Sequence, residues 1–181
     1  MSSKLPPPAQ KNIPQKPYDE KINLITPVGY QKLFNELRNL ADVQRPKIVD
    51  EVAAAAAQGD RSENAEYIYG KKKLREIDKR MGFLKRRLDA AKVINPAKQS
   101  GDQILFGATV TVEDEGGKKK TWMIVGEDEA DPGGGKISWK SPVGRALLFK
   151  VVGDLVSTQT PAGEIDLTIL NVAYSPTDAR K

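Results

Sequence analysis

Asp60, Glu63 and Glu66 stand three residues apart in the stretch Gly59-Asp60-Arg61-Ser62-Glu63-Asn64-Ala65-Glu66-Tyr67. At that interval side chains share one face of a helix. Two kinds of chemistry fit three carboxylates so placed. In the first they are structural: Asp60 is an N-cap and Glu63, at the third helical position, reaches back in a capping box. Acidic side chains also complement the positive end of the helix dipole. In the second they are part of a metal site. Two or three carboxylates can hold Mg²⁺, but Mg²⁺ requires six oxygens and usually keeps waters or shares substrate phosphates. Such a site would be weak alone and would act only when carried into another active centre. Spacing by itself leaves both readings open.

The rest of the composition narrows the chemistry. The chain has no histidine and no cysteine. Catalytic triads, imidazole acid–base steps, thiolate zinc sites and disulfides are therefore excluded. A hydrophobic content of 39% with 29% charged residues in 181 residues fits one large globular domain or two small ones. No apolar run approaches the ~20 residues of a membrane span, and the first residues lack the apolar core of a signal peptide. The expected location is cytoplasmic. The net charge is +5, unevenly placed: from Lys71 to Lys92 ten Lys or Arg stand against Glu76, Asp78 and Asp89, a net of +7. One segment carries the positive charge.

Two helical patterns flank the acidic stretch. Thr26-Pro27 has the form of an N-cap followed by a first-turn proline. Tyr30, Leu33, Leu37 and Leu40 then alternate three and four apart, and Ile48, Val52 and Ala55 resume the stripe beyond Pro46. Proline inside a helix lacks its N–H and clashes with the preceding turn, so a bend or break is expected near Gln44 to Pro46. Ala53 to Ala57 is strong helix former, and Gly59 supplies a left-handed stop. On the other side Tyr67, Gly70, Leu74, Ile77, Met81, Leu84, Leu88 and Ala91 hold the same spacing. A short connection makes the two segments antiparallel neighbours, with the acids at the turn. Arms of about 30 residues at ~1.5 Å each would project roughly 45 Å.

The ends of the chain read differently. Residues 1–23 have the proline-rich, basic composition of a disordered tail, with a polyproline ligand as the alternative. Residues 24–96 form the hairpin, and Asn95 to Gly101 joins it to a second domain over residues 101–175. There Val110 and Val112 alternate toward Trp122 and Ile124 across Glu115-Gly116-Gly117, a hairpin signal. Gly133 to Gly135 reads as a flexible turn, because no strand–Gly-loop–helix pattern with the P-loop lysine follows. Ser141-Pro142 starts one short helix, and Leu155 to Thr160 and Ile165 to Ala173 read as strands. The fold class is α+β: a long antiparallel coiled-coil hairpin, then a small antiparallel sheet with one helix. A fragment from Gly101 to Lys181 is expected to fold alone.

The tip and the basic run after it, Tyr69-Gly70-Lys71-Lys72-Lys73-Leu74-Arg75-Glu76-Ile77-Asp78-Lys79-Arg80, closely resemble the Gre transcript-cleavage factors of bacterial RNA polymerase, in particular the GreB branch. A second block, Ser141-Pro142-Val143-Gly144-Arg145-Ala146-Leu147-Leu148 through Gly153-Asp154 to Thr160-Pro161-Ala162-Gly163-Glu164, resembles that family's C-terminal domain. The resemblance runs from Ile25 to Tyr174. It implies an FKBP-like second domain that docks at the rim of the polymerase secondary channel through Ser141 and Pro142. It implies that the hairpin enters the channel and that Asp60 and Glu63 help hold a Mg²⁺ shared with the polymerase, which then cleaves backtracked RNA. Ser62 and Asn64 would position water or RNA. Arg61, Lys71, Lys72, Arg75 and Lys79 would contact the RNA 3′ segment. The chain would be a monomeric accessory factor, not an enzyme. Two departures stand out: Lys140 where the family often has an acid or Asn, and Gly144 where it usually has Ala. Two alternatives are a channel regulator without cleavage activity and an isomerase-like chaperone. The latter needs an aromatic-lined pocket, for which Phe106, Trp122, Trp139 and Phe149 are the candidates.

Overall fold

The computed structural model describes residues 18–19, 21–59, 63–161 and 163–175. Thr26 caps the first helix as its sequence dictates, its Oγ1 accepting from Gly29 N at 3.1 Å. Helix α1 (Pro27–Asn39) passes through a π-helical turn at Leu40–Gln44 into α2 (Arg45–Ala57). Where a bend or break is expected near Gln44 to Pro46, the helix runs on through a widened turn. Arg45 N–H reaches back five residues to Leu40 O, and this wider geometry accommodates the proline that a tight α-turn would reject. Helix α3 (Ala65–Asp89) returns antiparallel. Its 25 residues span about 37 Å at ~1.5 Å per residue, shorter than the arm read from the pattern.

The heptad stripes meet as expected. Leu33, Leu40, Ile48, Ile77 and Leu84 are buried between the arms, with Tyr30, Leu37, Val52, Leu74, Met81 and Leu88 packed around them. At the open end of the hairpin two three-residue strands, β1 (Asn23–Ile25) and β2 (Ala91–Val93), pair in parallel. Strand alternation sends neighbouring side chains to opposite sides. Leu24 accordingly enters the core of the second domain, while the adjacent Ile25 enters the core of the hairpin.

The second domain is a five-stranded sheet in the order β5-β4-β3-β7-β6: β3 (Thr109–Asp114), β4 (Lys119–Val125), β5 (Lys136–Ser138), β6 (Leu155–Thr160) and β7 (Gly163–Ala173). Helix α4 (Pro142–Leu147) lies against it. The expected hairpins are present, β3 with β4 and β6 with β7. The sheet is mixed rather than wholly antiparallel, because the short edge strand β5 pairs parallel to β4.

The tail reading of residues 1–23 changes at its end. Residues 1–17 lie outside the described residues, but Tyr18 packs edge-on to Trp139 at 5.8 Å and against Phe149 at 5.6 Å. Its hydroxyl accepts from Phe106 N at 3.4 Å. Ile22 and Leu24 join the same core. A fragment beginning at Gly101 would lack all three side chains. We expect Leu24→Ala to destabilise the sheet domain by about 2–5 kcal/mol, although residue 24 belongs by sequence to the hairpin. Tryptophan fluorescence reports that domain alone, since Trp122 and Trp139 both lie there; its transition should move to lower denaturant.

Candidate functional site

The tip is built by the ends of α2 and α3. Helix α2 ends with Gln58 N donating to Ala55 O at 3.2 Å, and Gly59 follows at φ +129°, the positive value expected of it. Asp60, Arg61 and Ser62 lie outside the described residues. Helix α3 begins four residues later than the capping-box reading requires, with its cap at Asn64 in place of Asp60. Its N-cap is Asn64, whose Oδ1 accepts from Glu66 N at 3.0 Å and Tyr67 N at 3.1 Å. Glu63 therefore precedes the cap and is not at the third helical position. The reason is chain length: a cap at Asp60 would leave only Gln58 and Gly59 to reverse two packed helices. Glu63 is exposed and makes no hydrogen bond or ion pair to any described residue. Glu66, at the second helical position, is exposed too. Among the described residues no group of three acidic side chains is placed to hold a metal by itself.

The positive charge of α3 divides into two sets. On its flanks the charges are paired within the fold. Arg80 Nε and Nη2 grip Glu36 at 2.6 and 2.9 Å, and this hydrogen bonding holds the Glu36 carboxyl below the usual range. Asp78 accepts from Arg45 at 2.8 Å. Lys85 and Arg86, nearer the base, are exposed; the outward set towards the tip is Lys71, Lys72, Arg75 and Lys79, all exposed as well. None of the four pairs with a carboxylate among the described residues; Arg75 Nε only donates to Lys71 O at 3.3 Å. Like charges at helical spacing repel, so a stripe left unpaired in this way raises the local potential and favours a polyanion.

A third cluster orients the hairpin on the sheet domain. The turn Glu127–Glu129 is a short 3₁₀ segment whose three acids all face the hairpin base. Glu129 accepts from Thr26 N at 2.9 Å and from the Thr26 hydroxyl. Asp128 accepts from Arg87 Nε at 2.8 Å and from Asn23 Nδ2 at 3.3 Å. Glu127 Oε2 is shared between Arg87 Nη2 at 3.2 Å and Lys140 Nζ at 3.1 Å. Burial pushes the Glu127 carboxyl up, but hydrogen bonds from Lys140 and Arg87 prevail and hold it below its ordinary value. This clamp was visible in the sequence only as an acidic run opposite a distant Arg and Lys.

Ser141 and Pro142 lie next to that clamp. Ser141 caps α4, its Oγ accepting from Gly144 N at 3.1 Å and donating to Ser138 O at 2.6 Å, while Pro142 is exposed. Both departures in this segment acquire a local role. Lys140 bonds Glu127 and lies 5.3 Å from the Trp139 ring centroid. Gly144 is buried, and a Cβ there would fall 2.2 Å from Ser138 O, so only glycine fits without a shift. The aromatic candidates for an isomerase pocket are core instead. Phe106 and Trp139 are buried, Tyr18 packs on Trp139 and Phe149, and Trp122 leans on the same core.

Residues 23–93 match the family model described as "Transcription elongation factor, N-terminal", and residues 98–174 that described as "Transcription elongation factor, GreA/GreB, C-term". The chain belongs to the GreA/GreB family of transcription elongation factors. Its similarity is to the GreB branch. Transcription elongation factor GreB of Yersinia pestis is 49% identical over 158 residues, covering 87% of this chain and 92% of the relative. GreB of Neisseria meningitidis serogroup B is 47% identical over 160 residues, covering 88% and 98%. Among solved structures, the GreA factor homolog 1 (Gfh1) protein of Thermus thermophilus aligns at 25% identity and a TM-score of 0.39, over 84% of this chain and 99% of that one. The relatives in this GreA/GreB family are named as elongation factors and not as enzymes. No helix among the described residues is long and apolar enough to cross a membrane.

Proposed function

We propose that this Gre-family elongation factor acts by transcript cleavage in the secondary channel of bacterial RNA polymerase. The sheet domain docks at the channel rim through the Ser141-Pro142 turn. The hairpin enters the channel, and Asp60 and Glu63 contribute carboxylate oxygens to a Mg²⁺ at the polymerase centre. The observation that carries this reading is the identity of the cap. Asn64 does the capping, so Glu63 is left exposed at the tip with no hydrogen bond or ion pair to any described residue. An exposed carboxylate is a hard oxygen donor of the kind Mg²⁺ takes, and two of them leave most of the six positions to polymerase groups and water. With Asp60 and Glu63 among its ligands, a Mg²⁺ at that centre would supply Lewis-acid stabilisation to phosphodiester hydrolysis.

The chain's own residues supply placement. The Glu127–Glu129 clamp fixes the direction in which the hairpin leaves the docking domain. Arg61, Lys71, Lys72, Arg75 and Lys79 meet the phosphates of the extruded RNA 3′ segment, without regard to its sequence. The factor acts as a single copy, in the cytoplasm where its polymerase works. The deciding experiment adds the protein to stalled, backtracked elongation complexes and measures release of short RNA. Release is expected. Polymerase binding without release would mark a channel regulator, and neither binding nor release would end the reading altogether.

A further inference from the structure

Tyr69 presents an uncovered aromatic ring to solvent. It stands in the second turn of α3 and is 66% exposed, with Ile68 beside it 52% exposed. Its hydroxyl makes no hydrogen bond, and its ring no ring contact, with any described residue. The ring borders a recess of about 310 Å³ between α2 and α3, lined by Glu51, Glu66, Tyr69, Gly70 and Lys73. Gly70 sets how closely the arms approach there, since a Cβ on it would fall 2.4 Å from Val52 Cγ2. Lys73 also lines a second recess, with Gln44, Lys47 and Ile48, so the groove continues toward the base of the hairpin. Lys73 is half-buried and pairs with no carboxylate among the described residues.

These linings select one kind of occupant. From Tyr67 to Arg75 the chain carries Lys71, Lys72, Lys73 and Arg75 and no acid. An open aromatic face set among cations holds single-stranded nucleic acid without reading its sequence, because every base has a face to stack. The carboxylates at the recess fix the orientation. Glu51 and Glu66 repel phosphate but can accept from the amino groups of a base, so the base enters and the phosphates stay with the lysines. The volume lies at the small end of ligand sites, room for a base and not for a protein element.

We propose that Tyr69 is a base-stacking platform, receiving one base of the extruded RNA 3′ segment in the recess between α2 and α3. This rests on the RNA-contact reading given above and adds to it a contact that needs a base rather than a phosphate.

The test is a cycle between protein and RNA. Backtracked complexes are assembled with one abasic ribose at each extruded position in turn. Full-length parent, Tyr69→Phe and Tyr69→Leu are assayed for RNA release at subsaturating concentration, for competition at the polymerase, and for melting. At one position, loss of the base should lower release by the parent about tenfold more than release by Tyr69→Leu, the size expected of one base stacked on an aromatic ring. Tyr69→Phe should follow the parent, and all three should melt alike, because the side chain is exposed. Parent and Tyr69→Leu responding equally to base removal at every position would overturn the proposal. So would a Tyr69→Leu loss that is the same on every RNA and accompanies weaker competition for the polymerase, since that would make Tyr69 a protein contact. A parent that releases no RNA from complexes with intact bases would end the function reading itself, and this inference with it.

Discussion

The double change Asp60→Asn, Glu63→Gln is expected to abolish stimulated RNA cleavage while leaving the fold and polymerase binding intact. The expected loss follows from charge. Both substitutions keep the shape of the side chain and replace an anionic oxygen pair by a neutral amide, a much poorer ligand for a hard cation. A metal ion contributes several kcal/mol of charge stabilisation to a phosphodiester transition state, and each ~1.4 kcal/mol is a factor of ten in rate. Cleavage should therefore fall by about a hundredfold or more at working Mg²⁺. The fold should not notice, because Glu63 bonds to no described residue and the helix cap belongs to Asn64. Melting curves and helix signal are expected to match the parent, and competition for polymerase should persist, which would make the variant an inhibitor by occupancy. A variant that cleaves normally would show that the tip acids do no catalytic work.

That experiment also bears on what could be read from the chain alone. The seam between the arms was legible because three–four spacing has one physical solution, an apolar stripe that must be covered. Leu33, Leu40, Ile48, Ile77 and Leu84 are buried accordingly. The tip was less legible, because two caps compete within five residues. Asp60 with Glu63 has the better local motif, but the connection needs length to reverse direction, and length is a property of the pair of helices. The π-turn before Pro46 was hidden for a similar reason: a proline can be absorbed by a wider turn as well as by a break. Strands β1 and β2 are three residues each and show no alternation to detect. Tyr18 sits in a proline-rich context whose average composition says tail, while a single aromatic finding Trp139 and Phe149 says core. The basic residues were identifiable from composition, but composition could not sort them. Only the packed hairpin distinguishes Arg80 and Arg87, which hold the fold together, from Lys71, Lys72, Arg75 and Lys79, which do not.

That sorting gives the second large effect. Reversing the charge at Lys72, Arg75 and Lys79 should impair action on deeply backtracked complexes far more than on shallow ones. All three side chains are exposed and unpaired with any carboxylate among the described residues, so their removal breaks no ion pair and should leave melting near the parent value. Reversing Arg80 would be a poor control, since it would set like charge against Glu36 in a bidentate pair. On this proposal a deeply backtracked complex would lay more phosphates along the stripe, and a shallow one would reach only the tip. The salt dependence provides the quantitative check. For single strands each phosphate contact contributes about 0.7 to the magnitude of the slope of log affinity against log salt, so losing all three contacts should reduce that magnitude by at least about 2 on deep complexes. Shallow complexes should keep their slope. Equal losses on both substrates would mean that the stripe contacts the polymerase rather than the RNA, and the assignment of these residues to the 3′ segment would have to be withdrawn.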